Sequence, residues 1–136
     1  MRARADADTC AETLKEVSKS AGFDALTALP NRGLFLDRFT QAIANAKRKR
    51  GQLALLFVDL NNFKTVNDTL GHTVGDHVLK QAARCMTSVL REVDTASRHG
   101  GDEFLILLAD LSNASDAILV VRKVTAALGV PFRIGN

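Results

Sequence analysis

Apolar residues along the chain change their period several times, and those changes divide it into elements. From Ala5 to Ala21, the positions Ala7, Cys10, Leu14, Val17 and Ala21 recur at alternating spacings of three and four. That rhythm fits a short coiled coil and equally an ordinary amphipathic lead-in helix, since about two heptads are too few to be stable alone. Pro30, Asn31 and Arg32 then mark a turn into a helix over 33–50, in which Phe35, Phe39, Ala42, Ile43 and Ala46 share one face and Gly51 closes the end. Leu53 to Leu60 is apolar nearly throughout and carries one acid, Asp59, which predicts a strand covered on both faces. The helical period returns from Phe63 to Arg91 through Val74, Val78, Ala82, Met86 and Val89, with Gly71 and Gly75 interrupting its first turns as a loop or a broken helix would. Short strands follow at 95–98 and 104–109. A last helix, capped by Ser112 or Asn113, runs through Ile118, Val121, Val124 and Leu128 to Gly129 and Pro131.

Strand, helix, strand, hairpin, strand, helix is the order of a split β-α-β, ferredoxin-like arrangement without its final strand, in the α+β or α/β class. A right-handed crossover makes the first two strands parallel, and the hairpin sets the third against both. With the third strand between the other two, the end of the first lies beside the start of the third. Asp59 and the pair Asp102-Glu103 are therefore expected to converge at one end of the sheet. The paired glycines Gly100 and Gly101 supply a tight turn that carries the two acids into a buried strand, where desolvation and mutual repulsion would call for a cation. By spacing alone, a hairpin with solvated acids at its tip fits as well.

Composition narrows the class. The 136 residues allow one domain, and 46% hydrophobic with 24% charged residues is ordinary for a soluble protein. No apolar run is long enough to span a bilayer and no secretory signal opens the chain, so a cytoplasmic location without membrane contact is expected. Cys10 and Cys85 have no ligand-like spacing and read as free thiols. The net charge of +3 suits a polyanionic ligand, but the run Lys47-Arg48-Lys49-Arg50 sits where a helix end favours cations. With no Trp or Tyr for base stacking, nucleic-acid binding is not expected.

Gly100-Gly101-Asp102-Glu103-Phe104 spells the signature of the GGDEF family, the diguanylate cyclases, and other family motifs appear in order. Asp24-Ala25-Leu26-Thr27-Ala28-Leu29-Pro30-Asn31-Arg32 resembles the opening motif. Asp59-Leu60-Asn61-Asn62-Phe63-Lys64, with Asn67-Asp68, Gly71-His72 and Gly75-Asp76, resembles the metal and nucleotide stretch, and Arg91-Glu92-Val93-Asp94 the inhibitory Arg-x-x-Asp. The resemblance runs from about Asp24 onward, dividing the chain into a linker or signalling helix at 1–22 and a GGDEF domain at 23–136.

The resemblance implies a nucleotidyl-cyclase palm, a central mixed antiparallel sheet flanked by helices, that condenses two GTP into cyclic di-GMP and two pyrophosphates. It implies Mg²⁺ (or Mn²⁺), two per active site, held by Asp59, the main-chain carbonyl of Leu60, Asp102 and Glu103. Asp102 and Glu103 would be catalytic, Asp102 by activating the attacking 3′-hydroxyl. Phe63 and Lys64 would approach the phosphates, Asn67 and Asp76 would recognise guanine, and His72 belongs to the same substrate-binding stretch. Arg91 and Asp94 would bind inhibitory product. Their spacing equally fits a surface pair, that of Asn67 a cap, and that of Asp76 a helix start. Since one site holds one GTP, catalysis implies a homodimer, with an upstream sensory domain as the family's usual neighbour. Two departures count: Asn61 stands where many relatives carry a second acid, and a further strand and a helix with a basic pair are expected after Asn136. A fragment inactive alone, with Leu53 to Leu60 as an apolar edge, is the expectation. The rival readings are a regulatory domain that binds GTP or cyclic di-GMP without turnover, and a nucleotidyl cyclase or polymerase palm for another nucleotide.

Overall fold

The computed structural model describes residues 22–60 and 63–129. The lead-in helix expected at 5–21, Asn61 and Asn62 lie outside the described residues, as does the tail from 130. Four helices and three strands are described: α1 (Arg32–Lys49), β1 (Gln52–Asp59), α2 (Phe63–Leu70), α3 (His72–Ser88), β2 (Thr95–Gly100), β3 (Glu103–Leu111) and α4 (Ala114–Gly129).

Local chemistry sets the boundaries. Asn31 caps α1, its side-chain oxygen accepting from the Leu34 N–H at 3.1 Å. Lys47, Arg48 and Lys49 occupy the last turn, where the dipole favours them. The left-handed closing residue is Arg50, with φ 56°, and not the expected Gly51, whose N–H reaches back to the Ala46 carbonyl at 2.9 Å. The long helical stretch is two helices, broken at Gly71, whose φ of 94° is outside the reach of a continuing helix. The second of them stops at Ser88 rather than Arg91, because the chain must turn to bring Arg91 back onto Asp94. At the start of α4, Asn113 accepts from the Ser115 N–H at 3.0 Å.

The strand order is β1-β3-β2, with β3 antiparallel to both neighbours. This is the α+β arrangement expected, with the third strand in the middle. Along β3, Phe104, Ile106 and Leu108 point to one face and are almost fully buried with Leu79, Ala82, Ala83 and Met86 of α3 and Val124 of α4. The opposite face is covered by α1, where Phe35 and Leu107 are buried. Each such large side chain removed from water contributes about 1.5–3 kcal/mol, so β3 holds the two layers together. The strand β1 lies at the outside of the described sheet, and Phe57 on it is 81% exposed. No described helix is long and apolar enough to cross a membrane.

A polar clasp closes the end of the sheet away from the hairpin turn. The Asp94 carboxylate has a fully buried side chain and accepts from the Arg91 main-chain N–H at 2.9 Å. It also accepts from Arg91 Nε and Nη2 at 3.0 and 2.7 Å, and from the Ala109 N–H at 3.4 Å. Arg91 Nη2 also donates to the Ala109 carbonyl at 2.6 Å, joining the end of α3 to β3. Replacing Asp94 by alanine strands buried N–H groups, so a loss of about 2–3 kcal/mol is expected in urea unfolding. Equal unfolding midpoints for Asp94→Ala and the parent chain would show that the clasp holds nothing.

Candidate functional site

The antiparallel register pairs Asp59 with Glu103 across β1 and β3. One residue earlier, Gly101 and Asp102 form the turn between β2 and β3, with Gly100 at φ 135° and Gly101 at φ 51°, conformations that a side chain at either position would resist. The convergence expected from topology is therefore present, with Asp59, Asp102 and Glu103 at one corner of the sheet. Their setting differs from expectation. Asp59 and Glu103 are exposed and Asp102 is half-buried, so the acids ring the rim of the sheet and do not enter its core. The Asp59 carboxyl is pushed up from its usual range first by a hydrogen bond shared with Asp102, then by the charge of Asp102, and less by desolvation and by Glu103. Repulsion, rather than burial, is what a cation would relieve here.

The donor set suits a hard divalent cation. Asp59 and Asp102 are within hydrogen-bonding reach of one another, and the Leu60 carbonyl follows Asp59. That carbonyl accepts from the Phe63 N–H at 3.4 Å, which leaves a lone pair. Among the described residues no three His, Cys, Asp or Glu side chains are gathered as a metal cage. Mg²⁺ is commonly held by one or two carboxylates, with substrate phosphates and water completing its shell, and the pair present fits that habit.

Beyond Asp59 the chain enters the α2–α3 pair. The ring of Phe63 packs against the core, so this side chain anchors α2, whereas Lys64 is exposed. Asn67 lies inside α2 and caps no helix. His72 is the first residue of α3 and is exposed, while Asp76 is exposed beyond the first turn, past the positions where a helix start most favours an acid. Gly75 is what lets α2 and α3 close. A methyl group there would stand 2.2 Å from Asn67 Oδ1 and 3.4 Å from Phe63 Cζ. Asn67 and the neighbour of Gly75, Asp76, are thus held on adjoining helices. The sequence signal for this contact was a glycine within a helical period, which marks a close approach of packed elements.

Arg91 and Asp94 are not part of this corner. They hold Ala109, at the opposite end of β3 and about 20 Å from Glu103 at 3.3 Å per residue. Asp94 is engaged internally, while the Arg91 side chain is 47% exposed. A second ion pair was not foreseen. Arg98 Nη1 donates to both carboxylate oxygens of Asp24 at 3.0 and 3.2 Å, and Arg98 Nε to the Gly101 carbonyl at 2.9 Å. Residues 74 positions apart carry no local spacing signal that could have linked them.

Comparison with known proteins accords with the α+β fold. A family profile described as "Diguanylate cyclase, GGDEF domain" matches residues 21–136, and the chain belongs to that family. Diguanylate cyclase TpbB of Pseudomonas aeruginosa is 42% identical over 120 residues, which are 88% of this chain and 28% of TpbB. A solved structure of the TpbB GGDEF domain superposes with a TM-score of 0.81 at 43% identity, covering 83% of this chain and 66% of that one. The coiled coil and GGDEF domain of DgcB from Caulobacter crescentus, solved with c-di-GMP, gives 0.74 at 32% identity, covering 83% of this chain and 59% of that one. The chain thus spans under a third of TpbB and about two thirds or less of the solved chains.

Two outcomes follow from the site geometry. Gly75→Ala displaces the end of a flexible amide rather than backbone, so the melting temperature should move little; if Asn67 recognises guanine, as the resemblance implies, guanine-nucleotide binding should weaken, and unchanged binding would separate Asn67 from base recognition. Because the folded Asp59 pKa is raised, its contribution to stability is present at low pH and lost as pH rises through that value. Mg²⁺ should therefore raise Tm more near neutral pH than in acid, and Asp59→Asn should flatten that difference; a pH-independent Mg²⁺ effect would contradict it.

Proposed function

We propose that this chain is the catalytic GGDEF domain of a diguanylate cyclase, which joins two GTP into cyclic di-GMP. The observation that carries the reading is the meeting of Asp59, Asp102 and Glu103 at one sheet corner, beside helices that present Lys64, Asn67 and Asp76. In each of two equivalent steps, a 3′-oxygen bonds to the α-phosphorus of the facing GTP, and the bond from that phosphorus to pyrophosphate breaks. The 3′-hydroxyl proton passes to a carboxylate oxygen of Asp102, whose place at the turn leaves it reachable from outside the sheet. Glu103 is a further ligand or electrostatic partner across from Asp59. Lys64 offers an ammonium to the phosphates, close to the main chain that Phe63 anchors. Asp76 accepts from guanine N–H groups, Asn67 donates and accepts at the base edge, and His72 borders the same nucleotide face.

Asp59, the Leu60 carbonyl, Asp102 and Glu103 would hold Mg²⁺ or Mn²⁺, two ions when the site is filled, which lower the pKa of a bound hydroxyl and stabilise charge on the leaving group. One GTP per domain requires two domains face to face, so the working unit is a homodimer. Arg91 is the outward member of the product-inhibition pair, because Asp94 is already engaged within the fold.

A second reading, binding of cyclic di-GMP without turnover, is favoured by the exposed Arg91 at the end of β3 remote from the acids. The two readings part on one substitution. In the full-length protein, Asp102→Ala should abolish cyclic di-GMP formation from GTP with the circular dichroism spectrum preserved, and ATP should not replace GTP. Product formation at the parent rate would remove Asp102 from the mechanism, whereas a parent protein that binds cyclic di-GMP and forms none would establish the second reading.

A further inference from the structure

The segment from Gly22 to Asn31 is a closed turn with its own hydrogen-bond network. The Asp24 N–H donates to the Leu29 carbonyl at 2.7 Å and the Asn31 N–H to the Gly22 carbonyl at 2.9 Å, while Phe23 bridges Pro30. Asp24 Oδ2 accepts from the Thr27 N–H and from Thr27 Oγ1, both at 2.8 Å. The Asp24 carboxylate is thus fixed from its own side of the chain before it meets Arg98. Burial pushes its pKa up, and the bonds from Thr27 and Arg98 outweigh that and hold it below the usual carboxylate value.

Arg98 is held on both sides. Its N–H donates to the Pro30 carbonyl at 3.1 Å, its Nη1 to Asp24, and its Nε to the carbonyl of Gly101. The two side chains are only 16% and 19% exposed, which spares the pair most of the screening that makes surface ion pairs weak. The Gly101 carbonyl belongs to the peptide unit that leads into Asp102. A peptide unit is planar, so a hydrogen bond to its carbonyl fixes the plane from which the Asp102 Cα departs. Gly101 at φ 51° and Gly100 at φ 135° have the widest backbone freedom in the hairpin, and without an external tether this turn has several accessible conformations.

We propose that Arg98 is a positioning residue for the metal-binding turn: its guanidinium, seated on Asp24, grips the Gly101 carbonyl and sets where Asp102 stands relative to Asp59. The inference rests on the reading of Asp102 as a metal ligand. The guanidinium shape is essential, because one planar fork reaches a carboxylate and a carbonyl at once, whereas a lysine ammonium cannot keep both contacts in that geometry. The opening motif thereby acts on the acid corner without touching it.

The 136-residue chain tests this with Mn²⁺ alone as probe, titrated by the loss of its free electron-spin-resonance signal, and with hydrogen exchange at the amide of Glu103, which pairs with Gly100 across the turn. Arg98→Gln and Arg98→Lys should each weaken Mn²⁺ binding about tenfold or more, the scale on which partners behind metal ligands act. Both should speed exchange at Glu103, with no change at Ile106. Asp24→Asn should shift both readouts in the same direction and less. Leu111→Val, at the far end of β3, supplies a comparable loss of stability and should leave Mn²⁺ affinity at the parent value. If Asp102→Ala loses Mn²⁺ while Arg98→Gln and Arg98→Lys bind it within twofold of the parent chain, the positioning role is wrong and the metal site stands. If Asp102→Ala, or a parent chain that binds no Mn²⁺, shows Asp102 not to be a ligand, both readings fall. Glu103 exchange that is equal in the parent chain and Arg98→Gln overturns the tether directly.

Discussion

Everything at the acid corner depends on one pairing, the antiparallel register that puts Asp59 opposite Glu103. Side chains alternate along a strand, so a slip of one residue would turn Asp59 onto the face packed against Phe104, Ile106 and Leu108 and carry Ala54, Leu56 and Val58 off it. The apolar residues of β1 and β3 therefore enforce the register for the sake of the core, and the acids inherit their positions from it. The fold keeps three like charges together because the buried face beneath them permits no alternative alignment.

Much of this was legible in the chain itself. The order of elements and the handedness rule gave the strand directions, and with strand three taken between the other two they brought the acids together, because those rules act on period and connection length, which a sequence displays. What was not legible was the electrostatic setting. Gly100-Gly101 suggested acids driven into a buried strand, yet exposure of a turn depends on what packs over it, and nothing in the sequence reports that. The glycine expected to close α1 was also displaced by one position, since Arg50 takes the left-handed conformation itself. Long-range polar contacts were the largest gap. Asp24 appeared within a recognisable motif and position 98 at the end of a predicted strand, but a contact spanning 74 residues leaves no periodic trace.

The two ends of β3 use arginine in contrasting ways. At Ala109, Arg91 and a buried Asp94 close the meeting of α3, β2 and β3. At Gly101, Arg98 and Asp24 fasten a mobile type of backbone to a rigid neighbour. In both cases the guanidinium satisfies a main-chain carbonyl as well as a carboxylate, a double service that suits places where a strand ends and its last polar groups lack a ladder partner.

The placement of the strands also bears on how the corner behaves in time. Among the described residues β3 is hydrogen-bonded on both sides, while Asp59 is the last residue of β1, and a strand end opens more easily than the paired middle of a sheet. Asp59 stands at that end, and Asp102 and Glu103 at the start of β3. Brief fraying of the last residues of β1 would separate the acids while the core of Phe104, Ile106 and Leu108 stayed closed. The lifetime of the intact acid corner is then set by local opening at a strand end, and is shorter than the lifetime of the fold.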